Sequence, residues 1–283
     1  MQAKHDTEQQ EPDLSAHALA VAVVAARRAS KLIQESVSGI GDLEWVEKAS
    51  ADFVTEVDRG AEAAITKAVR LEFPDAVIIG EELTPDTVTS DDVLTFIVDP
   101  LDGTTNFLHG FPHYAISIGV MHRTELIAAV VQNVPRGDIF TARAGYGTKL
   151  NDKPVTVSSI DSTSRALIGT GFPFKNLDLL DAYARQFVEV TRHASGIRRA
   201  GSAALDLADV ACGRFDGFWE LMLAPWDVAA GILLIREAGG IVTDTAGRDA
   251  PVAQGPIVAG NPVIHPWLLQ TVQAAADTER VHE

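Results

Sequence analysis

Between residues 93 and 143 the sequence alternates apolar stretches with turn residues, and this pattern constrains the fold more than any other feature. The stretch 93–98 is strongly apolar, and the segments 114–121, 125–134 and 137–143 follow it as successive strand candidates. Strands that are joined by short turns usually pair with their neighbours in the antiparallel sense. We therefore predict an antiparallel meander in the first half of the chain.

Helical patterns flank this meander. An Ala-rich stretch at 13–37 and a second periodic stretch at 58–73 predict two helices before it. After about residue 155 the pattern changes to alternating helices and strands. In that part we predict strands at 197–199 and 215–220 and helices at 177–193, 201–212, 225–238 and 264–276. The fold class is therefore mixed α/β, with an antiparallel-rich first half and a helix-rich second half.

The chain has 283 residues and is long enough to bury about three quarters of its unfolded surface. We expect one compact unit rather than independent domains. It would consist of a half at 13–155 that carries the main site and a half at 156–277 that completes it. Residues 1–12 and 278–283 are expected to be tails, and 84–92 is expected to be a polar loop.

The charge balance excludes several classes of function. Acidic residues outnumber basic ones by 39 to 23, which gives a formal charge of −16. A general nucleic-acid binder needs a basic surface, and so does a protein that binds anionic membranes. Cys212 is the single cysteine, so no intramolecular disulfide can form. The sequence also lacks a secretory leader pattern and an 18-residue apolar stretch, so we expect a cytoplasmic protein.

Several common site motifs are missing. The sequence has no phosphate-binding loop of the GxxxxGK type, no GxGxxG and no GxSxG. His109 and His113 are four residues apart, but Pro112 between them prevents the helix that a metal-binding pair of this spacing needs. The segment 99–110 ends in Gly110, where a calcium loop requires a bidentate glutamate, which disfavours a calcium-binding module.

The segment that carries the most chemical information is DPLDGTTNF at 99–107, which follows the apolar strand directly. Asp99 and Asp102 are close enough to share a cation, with the carbonyl of Leu101 as a third oxygen. The small residues 103–105 leave backbone N–H groups that can bind an anion if a helix begins there. The alternative is an Asx-type turn in which both aspartates only cap the backbone.

Three further segments place acids at the ends of secondary structure elements. They are GEE at 80–82, DFVTEVD at 52–58 and WDVAAG at 226–231. Each has a simple alternative explanation, namely helix capping for Asp58 and Asp227 and a solvated turn for Glu81 and Glu82. If these acids share one cleft, their like charges raise each other's pKa values and the cleft requires cations.

Taken together, the four segments resemble the inositol monophosphatase family of lithium-sensitive, Mg²⁺-dependent sugar and polyol phosphatases. The resemblance runs from residue 14 to residue 276 and implies a layered αβαβα sandwich of the sugar-phosphatase type. One position departs from the family pattern, because Leu101 stands where Ile is more usual. Only the backbone carbonyl is used at that position, so we expect no consequence.

The resemblance also implies roles for individual residues. Glu81, Asp99 and the Leu101 carbonyl would hold a first Mg²⁺, while Asp99, Asp102 and Asp227 would hold a second. A third, weaker ion beside Glu81 occurs in several members. Catalytic roles would fall to Glu81, Thr104 and Asp58, the last two orienting the attacking water. The residues implied to bind substrate are Asp102, Gly103, Thr104, Ala203 and Glu220.

Two of these assignments have open alternatives. Glu220 would accept hydrogen bonds from substrate hydroxyls, or it is simply a surface acid. Ala203 would line the substrate pocket, or it only packs in a helix.

The resemblance implies hydrolysis of myo-inositol monophosphate by in-line attack of water, with no covalent phosphoenzyme. Histidinol phosphate, fructose 1,6-bisphosphate and 3′-phosphoadenosine 5′-phosphate are the substrates of other branches of the same superfamily. A scaffold that binds a protein partner without catalysis is a competing function of a different class. Members usually form homodimers, and we expect the same here, with no direct nucleic-acid or membrane partner.

Overall fold

The structure is a computed structural model, and it describes residues 13–42, 45–49, 52–85 and 93–277. The expected tails at 1–12 and 278–283 lie outside the described residues, as does most of the expected polar loop at 84–92.

The first half of the chain contains a seven-stranded sheet. In chain order this half contains α1 (Leu14–Ser36), β1 (Val46–Ala49), β2 (Asp52–Val54), α2 (Glu56–Glu72), β3 (Val77–Gly80), β4 (Leu94–Asp102), α3 (Thr104–Leu108), β5 (Ala115–His122), β6 (Glu125–Asn133), β7 (Ile139–Arg143), β8 (Thr148–Leu150) and β9 (Lys153–Val155). The seven-stranded sheet runs in the order β3-β4-β5-β6-β7-β8-β9, and β1 pairs with β2 separately. All pairs in the large sheet are antiparallel except β3 with β4, which confirms the meander.

The second half builds a smaller mixed sheet. Its elements are β10 (Leu167–Thr170), α4 (Leu180–His193), β11 (Gly196–Arg198), α5 (Ala203–Ala211), β12 (Gly217–Leu223), α6 (Pro225–Glu237), β13 (Ile241–Thr243), β14 (Gly255–Gly260) and α7 (Ile264–Asp277). The strand order is β11-β10-β12-β14-β13, with β10 parallel to both of its neighbours. Short 3₁₀ segments occupy Val37–Asp42, Thr163–Arg165 and Leu177–Leu179.

The elements stack in five layers. Helices α1 and α2 cover one face of the seven-stranded sheet, and α5 and α6 lie between the two sheets. Helices α4 and α7 cover the outer side of the five-stranded sheet. This arrangement confirms the layered αβαβα sandwich and the mixed α/β class. The boundary near residue 155 between the two halves stays a prediction.

Close packing of small residues sets the position of α6 between the sheets. A Cβ atom at Gly231 would lie 2.5 Å from Leu207 Cδ1 in α5, and a Cβ atom at Gly119 would lie 2.6 Å from Ala229 Cβ. Glycine at both places therefore lets α6 approach α5 and β5 at backbone distance. The Ser117 hydroxyl also donates to the Trp226 carbonyl at 3.1 Å, which ties the first turn of α6 to β5.

No helix within the described ranges combines the length and the apolar content that crossing a lipid bilayer requires.

Candidate metal centre

An acidic cleft with a volume of about 950 Å³ opens between the two halves of the fold. Nearly every residue that the sequence assigned to a site lines this cleft. Those lining residues are Glu81, Asp99, Leu101, Asp102, Gly103, Thr104, Ala203, Glu220 and Asp227. Asp58 is the exception, and it reaches the cleft through a hydrogen bond to Thr104.

Three aspartates converge at the floor of the cleft. Asp99, Asp102 and Asp227 offer carboxylate oxygens that all lie within 4.8 Å of one another. Strand β4 delivers the first two, on either side of an irregularity in its pairing with β5. The first turn of α6 delivers Asp227. The predicted end of the strand at residue 98 is therefore too early, because the pairing resumes at Asp102 opposite Ala115.

Asp99 lies in unfavourable electrostatic surroundings. Its side chain is only 2% exposed. Burial raises its pKa well above the ordinary range, and the charges of Glu81, Asp102 and Asp227 raise it further. A set of oxygen donors that repel one another in this way suits a hard cation such as Mg²⁺, so the residues present fit the metal that the sequence implied.

Asp102 is held from the second half of the chain. One of its carboxylate oxygens accepts the Ser202 hydroxyl at 2.6 Å and the Ala204 N–H at 2.7 Å. Burial raises the pKa of Asp102, and these hydrogen bonds oppose the rise. Ser202 is the N-cap of α5, which begins at Ala203 rather than at the predicted residue 201. The sequence analysis missed Ser202 and Ala204, although a serine before an Ala-rich helix is a typical N-cap signal.

Asp58 and Asp227 cap helices, as the simple alternative explanation holds, and they also belong to the site. Asp58 accepts the Thr55 N–H at 2.9 Å with one oxygen and the Thr104 hydroxyl at 2.9 Å with the other. Its pKa is raised, chiefly by burial. Asp227 accepts the Ala224 N–H at 2.6 Å. Each residue therefore caps its own helix and still presents a carboxylate oxygen towards the other acids or Thr104.

Asp99 likewise makes the Asx-type contact that the alternative explanation predicts, and it also belongs to the group of three aspartates. An oxygen of Asp99 accepts the Leu101 N–H at 3.0 Å. Gly103 follows with a φ of 95° and precedes α3, the short helix that the sequence allowed for. Among the described residues, no acceptor takes the backbone N–H of Gly103 or Thr104. Both residues line the cleft together with the three aspartates.

Asn106 joins this segment to the second half. Its side-chain amide donates to the His113 carbonyl at 2.7 Å and to the Ala200 carbonyl at 2.9 Å. The amide thereby fixes α3 against the chain that leads into α5. Local sequence patterns give Asn106 no role, because its partners lie 7 and 94 residues away.

Glu81 lines the same cleft but is not one of the three aspartate-group ligands within 4.8 Å of one another. Its carboxylate is 3.9 Å from the Lys175 ammonium, and its side chain is 15% exposed. Its charge nevertheless contributes to the raised pKa of Asp99. Lys175 is a further residue that the sequence patterns did not single out, since the loop that carries it belongs to the opposite half.

Glu220 and Ala203 also line the cleft. Glu220 lies in β12 and packs so closely on Gly171 that a Cβ atom there would be 2.0 Å from a carboxylate oxygen. Burial raises the pKa of Glu220 well above its ordinary value, and the charge of Asp227 raises it further. The charge of Arg199 opposes this rise. Ala203 is the first residue of α5 and lines the cleft. Glu220 is therefore part of the cleft wall rather than a residue of a surface turn.

The histidine pair behaves as the sequence analysis predicted. Helix α3 ends at Leu108, before His109 and His113, so the two do not share a helix face. His113 Nε2 instead lies 3.8 Å from an oxygen of Asp206, a buried acid whose pKa burial raises to about 7. Asp206 also lines the cleft and was not singled out from the sequence.

Comparisons with known proteins find similarity over nearly the whole chain. The model of the inositol monophosphatase family matches residues 15–277. The chain is 46% identical over 259 residues to a protein of Pseudomonas aeruginosa named Nus factor SuhB, covering 90% of this chain and 95% of that one. It is 43% identical to an inositol-1-monophosphatase of Rhizobium meliloti, covering 90% and 96% of the two chains. The extragenic suppressor protein suhB from Bartonella henselae superposes with a TM-score of 0.85 at 39% identity, covering 91% and 98%.

Proposed function

The chain belongs to the inositol monophosphatase family, and from this premise we propose that it is a Mg²⁺-dependent phosphatase whose preferred substrate is myo-inositol monophosphate. The observation that carries the proposal is the group of three aspartates within 4.8 Å, in the same cleft as Gly103 and Thr104, whose backbone N–H groups meet no acceptor in the described part of the chain. Phosphate-ester hydrolysis needs cations and anion donors at the same place, and the cleft supplies positions for both.

Asp99, Asp102 and Asp227 are the residues proposed to hold Mg²⁺, together with Glu81 and the carbonyl of Leu101. All five donors are oxygens, as Mg²⁺ prefers, and we propose two or three ions. Bound Mg²⁺ would supply Lewis-acid stabilisation of the phosphoryl and leaving oxygens and would lower the pKa of a water.

The protein's own groups would then orient the reactants. The Thr104 hydroxyl lies 2.9 Å from Asp58 and 3.1 Å from the Leu101 carbonyl. When it donates its proton to one of these acceptors, its lone pairs are left to accept a hydrogen from the attacking water. Glu81, which lines the same cleft, would share in orienting that water. The N–H groups of Gly103 and Thr104 would bind the phosphate, and the water would attack phosphorus in line, so that the alcohol leaves without a covalent phosphoenzyme.

Glu220 and Ala203 support a polyol rather than a bare phosphate as the rest of the substrate. The Glu220 carboxylate faces the same cleft as the aspartates, and a carboxylate there accepts hydrogen bonds from hydroxyl groups. The small side chain of Ala203 leaves room in the same cleft. Histidinol phosphate, fructose 1,6-bisphosphate and 3′-phosphoadenosine 5′-phosphate are the alternative substrates.

A panel of phosphate esters tests this proposal. We expect Mg²⁺-dependent release of phosphate, fastest from myo-inositol monophosphate and slower from histidinol phosphate and the two bisphosphorylated compounds. We also expect inhibition by Li⁺ at constant Mg²⁺, with K⁺ at equal ionic strength as the control. Release of phosphate from none of these esters, by protein shown to bind Mg²⁺, would contradict the proposed activity.

Replacing Glu220 tests the substrate class separately. Glu220→Gln removes the charge but keeps the size, so the side chain can still accept one hydrogen bond. We expect KM for myo-inositol monophosphate to rise about tenfold. For glycerol 2-phosphate, which has fewer hydroxyls to bind, we expect KM to change less than about threefold. Equal effects on KM for the two substrates would show that Glu220 does not bind the hydroxyl groups of the polyol.

A second role, that of a Nus factor, is proposed beside catalysis, because the Pseudomonas aeruginosa relative has that name at 46% identity. The complete set of site carboxylates supports catalysis in addition to such a role. Homodimer formation and a cytoplasmic location stay predictions.

A further inference from the structure

Glu62 is a buried acid to which neither the sequence analysis nor the proposed mechanism gives a role. It lies in α2, four residues after Asp58, and its side chain is fully buried. Residues spaced by four lie on the same face of a helix, and two like charges at that spacing destabilise it. No lysine, arginine or histidine of the described part of the chain forms an ion pair with Glu62. Helix stability therefore does not account for the second acid.

The partners of Glu62 belong to the turn that follows Glu81. One carboxylate oxygen accepts the Glu82 N–H at 2.7 Å, and the other accepts the Leu83 N–H at 3.1 Å. The Thr84 hydroxyl lies 3.4 Å from the second oxygen. The turn therefore folds around the carboxylate, which takes the place of a backbone acceptor for two consecutive N–H groups.

Gly80 leaves the space that this arrangement needs. A Cβ atom at position 80 would lie 2.1 Å from Glu62 Oε1, so only glycine allows β3 to end directly over the carboxylate. On the other side, the Glu81 N–H donates to the Val98 carbonyl of β4 at 3.2 Å. The backbone of Glu81 is thus held between β4, which carries Asp99, and the carboxylate of Glu62.

We propose that Glu62 is a positioning residue that holds Glu81 where it can join the aspartates in binding Mg²⁺, an inference that rests on the proposed function. Groups that orient the ligands of a metal usually change its affinity about 10- to 100-fold when they are replaced. Without Glu62, the turn at 81–83 has two buried donors to satisfy elsewhere, and Glu81 has to be ordered when the ion binds.

Titration of the metal-free protein with Mg²⁺ by calorimetry tests the proposal directly, and the Mg²⁺ dependence of phosphate release adds a kinetic readout. Glu62→Gln keeps the size but places an amide group opposite one of the two N–H donors. We expect its Mg²⁺ affinity to fall about tenfold or more, with the rate at saturating Mg²⁺ within about threefold of the wild type. Asp216→Asn is the matched control, because Asp216 is also a buried acid that accepts a backbone N–H, from Leu167, and it does not line the cleft. That variant is expected to lose stability and keep its Mg²⁺ affinity.

Two further measurements apply if Glu62→Gln does not fold. Gly80→Ala pushes a methyl group into the carboxylate while Glu62 is retained, and we expect the same loss of Mg²⁺ affinity. In the metal-free wild type, the amides of Glu82 and Leu83 are expected to be protected from hydrogen exchange. Unchanged Mg²⁺ affinity in a folded variant, or freely exchanging amides at these two residues, would overturn the proposal. Neither result depends on turnover, so a failure here is distinct from a failure of the phosphatase activity.

Discussion

Asp99→Asn is expected to abolish phosphatase activity and, in the absence of Mg²⁺, to raise the melting temperature. Asp99 is the residue proposed to contact both main ions, so its loss affects the whole metal centre. Several kcal/mol of transition-state stabilisation depend on such a centre, which corresponds to a decrease of about 10³-fold or more in kcat/KM. Asn keeps the size of the side chain and an oxygen that can still accept the Leu101 N–H.

The expected rise in the melting temperature of metal-free Asp99→Asn follows from the surroundings of Asp99. The carboxylate is buried, and three neighbouring acids repel it. A neutral amide avoids both costs, so the metal-free variant gains stability where the wild type is destabilised by its own site. Phosphate release and thermal unfolding of the same preparations measure both effects. In the control Asp216→Asn, we expect lower stability with kcat/KM within about threefold of the wild type. Turnover by Asp99→Asn close to the wild-type rate would exclude the three aspartates as the metal centre.

Millimolar Mg²⁺ is expected to raise the melting temperature, and more so at about pH 8 than at about pH 5.5. The sign follows from the raised pKa values. Asp99 and Glu220 bind protons more tightly in the folded than in the unfolded metal-free protein. The free energy of unfolding therefore falls as pH rises from their ordinary values near pH 4 through their raised pKa values in the folded state. Asp206 acts in the same direction, up to its pKa of about 7.

Mg²⁺ reverses this loss because it replaces the protons as the partner of the carboxylates. An ion present at 100 times its dissociation constant adds about 2.7 kcal/mol, which corresponds to about 5 °C for a chain of this size. Differential scanning fluorimetry across pH, with NaCl at matched ionic strength, measures the effect and controls for screening. A melting temperature that does not respond to Mg²⁺ at the higher pH would contradict a shared metal site. An equal response at both pH values would contradict the competition with protons.

Local patterns in the sequence were enough to predict the main architecture. The apolar segments between turns predicted the meander, and the helix bounds were right to within a few residues for α1 (Leu14–Ser36) and α6 (Pro225–Glu237). Three strands of the smaller sheet were missed, namely Leu167–Thr170, Ile241–Thr243 and Gly255–Gly260. They are short, and the first and last contain glycine, so they show neither a clear alternation nor a long apolar run.

Some features of the candidate site could likewise be predicted from local sequence patterns, and others could not. Five of its acids lie next to a recognisable strand end or helix start and were visible in the sequence, namely Asp58, Glu81, Asp99, Asp102 and Asp227. Whether Asp58 and Asp227 cap a helix or face a cleft could not be decided locally, and the structure shows that they do both. Asp206 was given no role, since an acid inside a predicted helix looks like any other helical acid in the sequence.

The sequence by itself therefore determined which carboxylates this protein can bring to a metal, because backbone patterning decides where strands end and helices begin. Only the tertiary structure decided what holds those carboxylates. Ser202 and Ala204 bind Asp102 from 100 and 102 residues away, and Glu62 binds the turn after Glu81 across about 20 residues. Contacts of this kind depend on how helices and sheets pack against one another. Such packing leaves no periodic trace in the chain, since any residue with a suitable donor or acceptor can occupy the position.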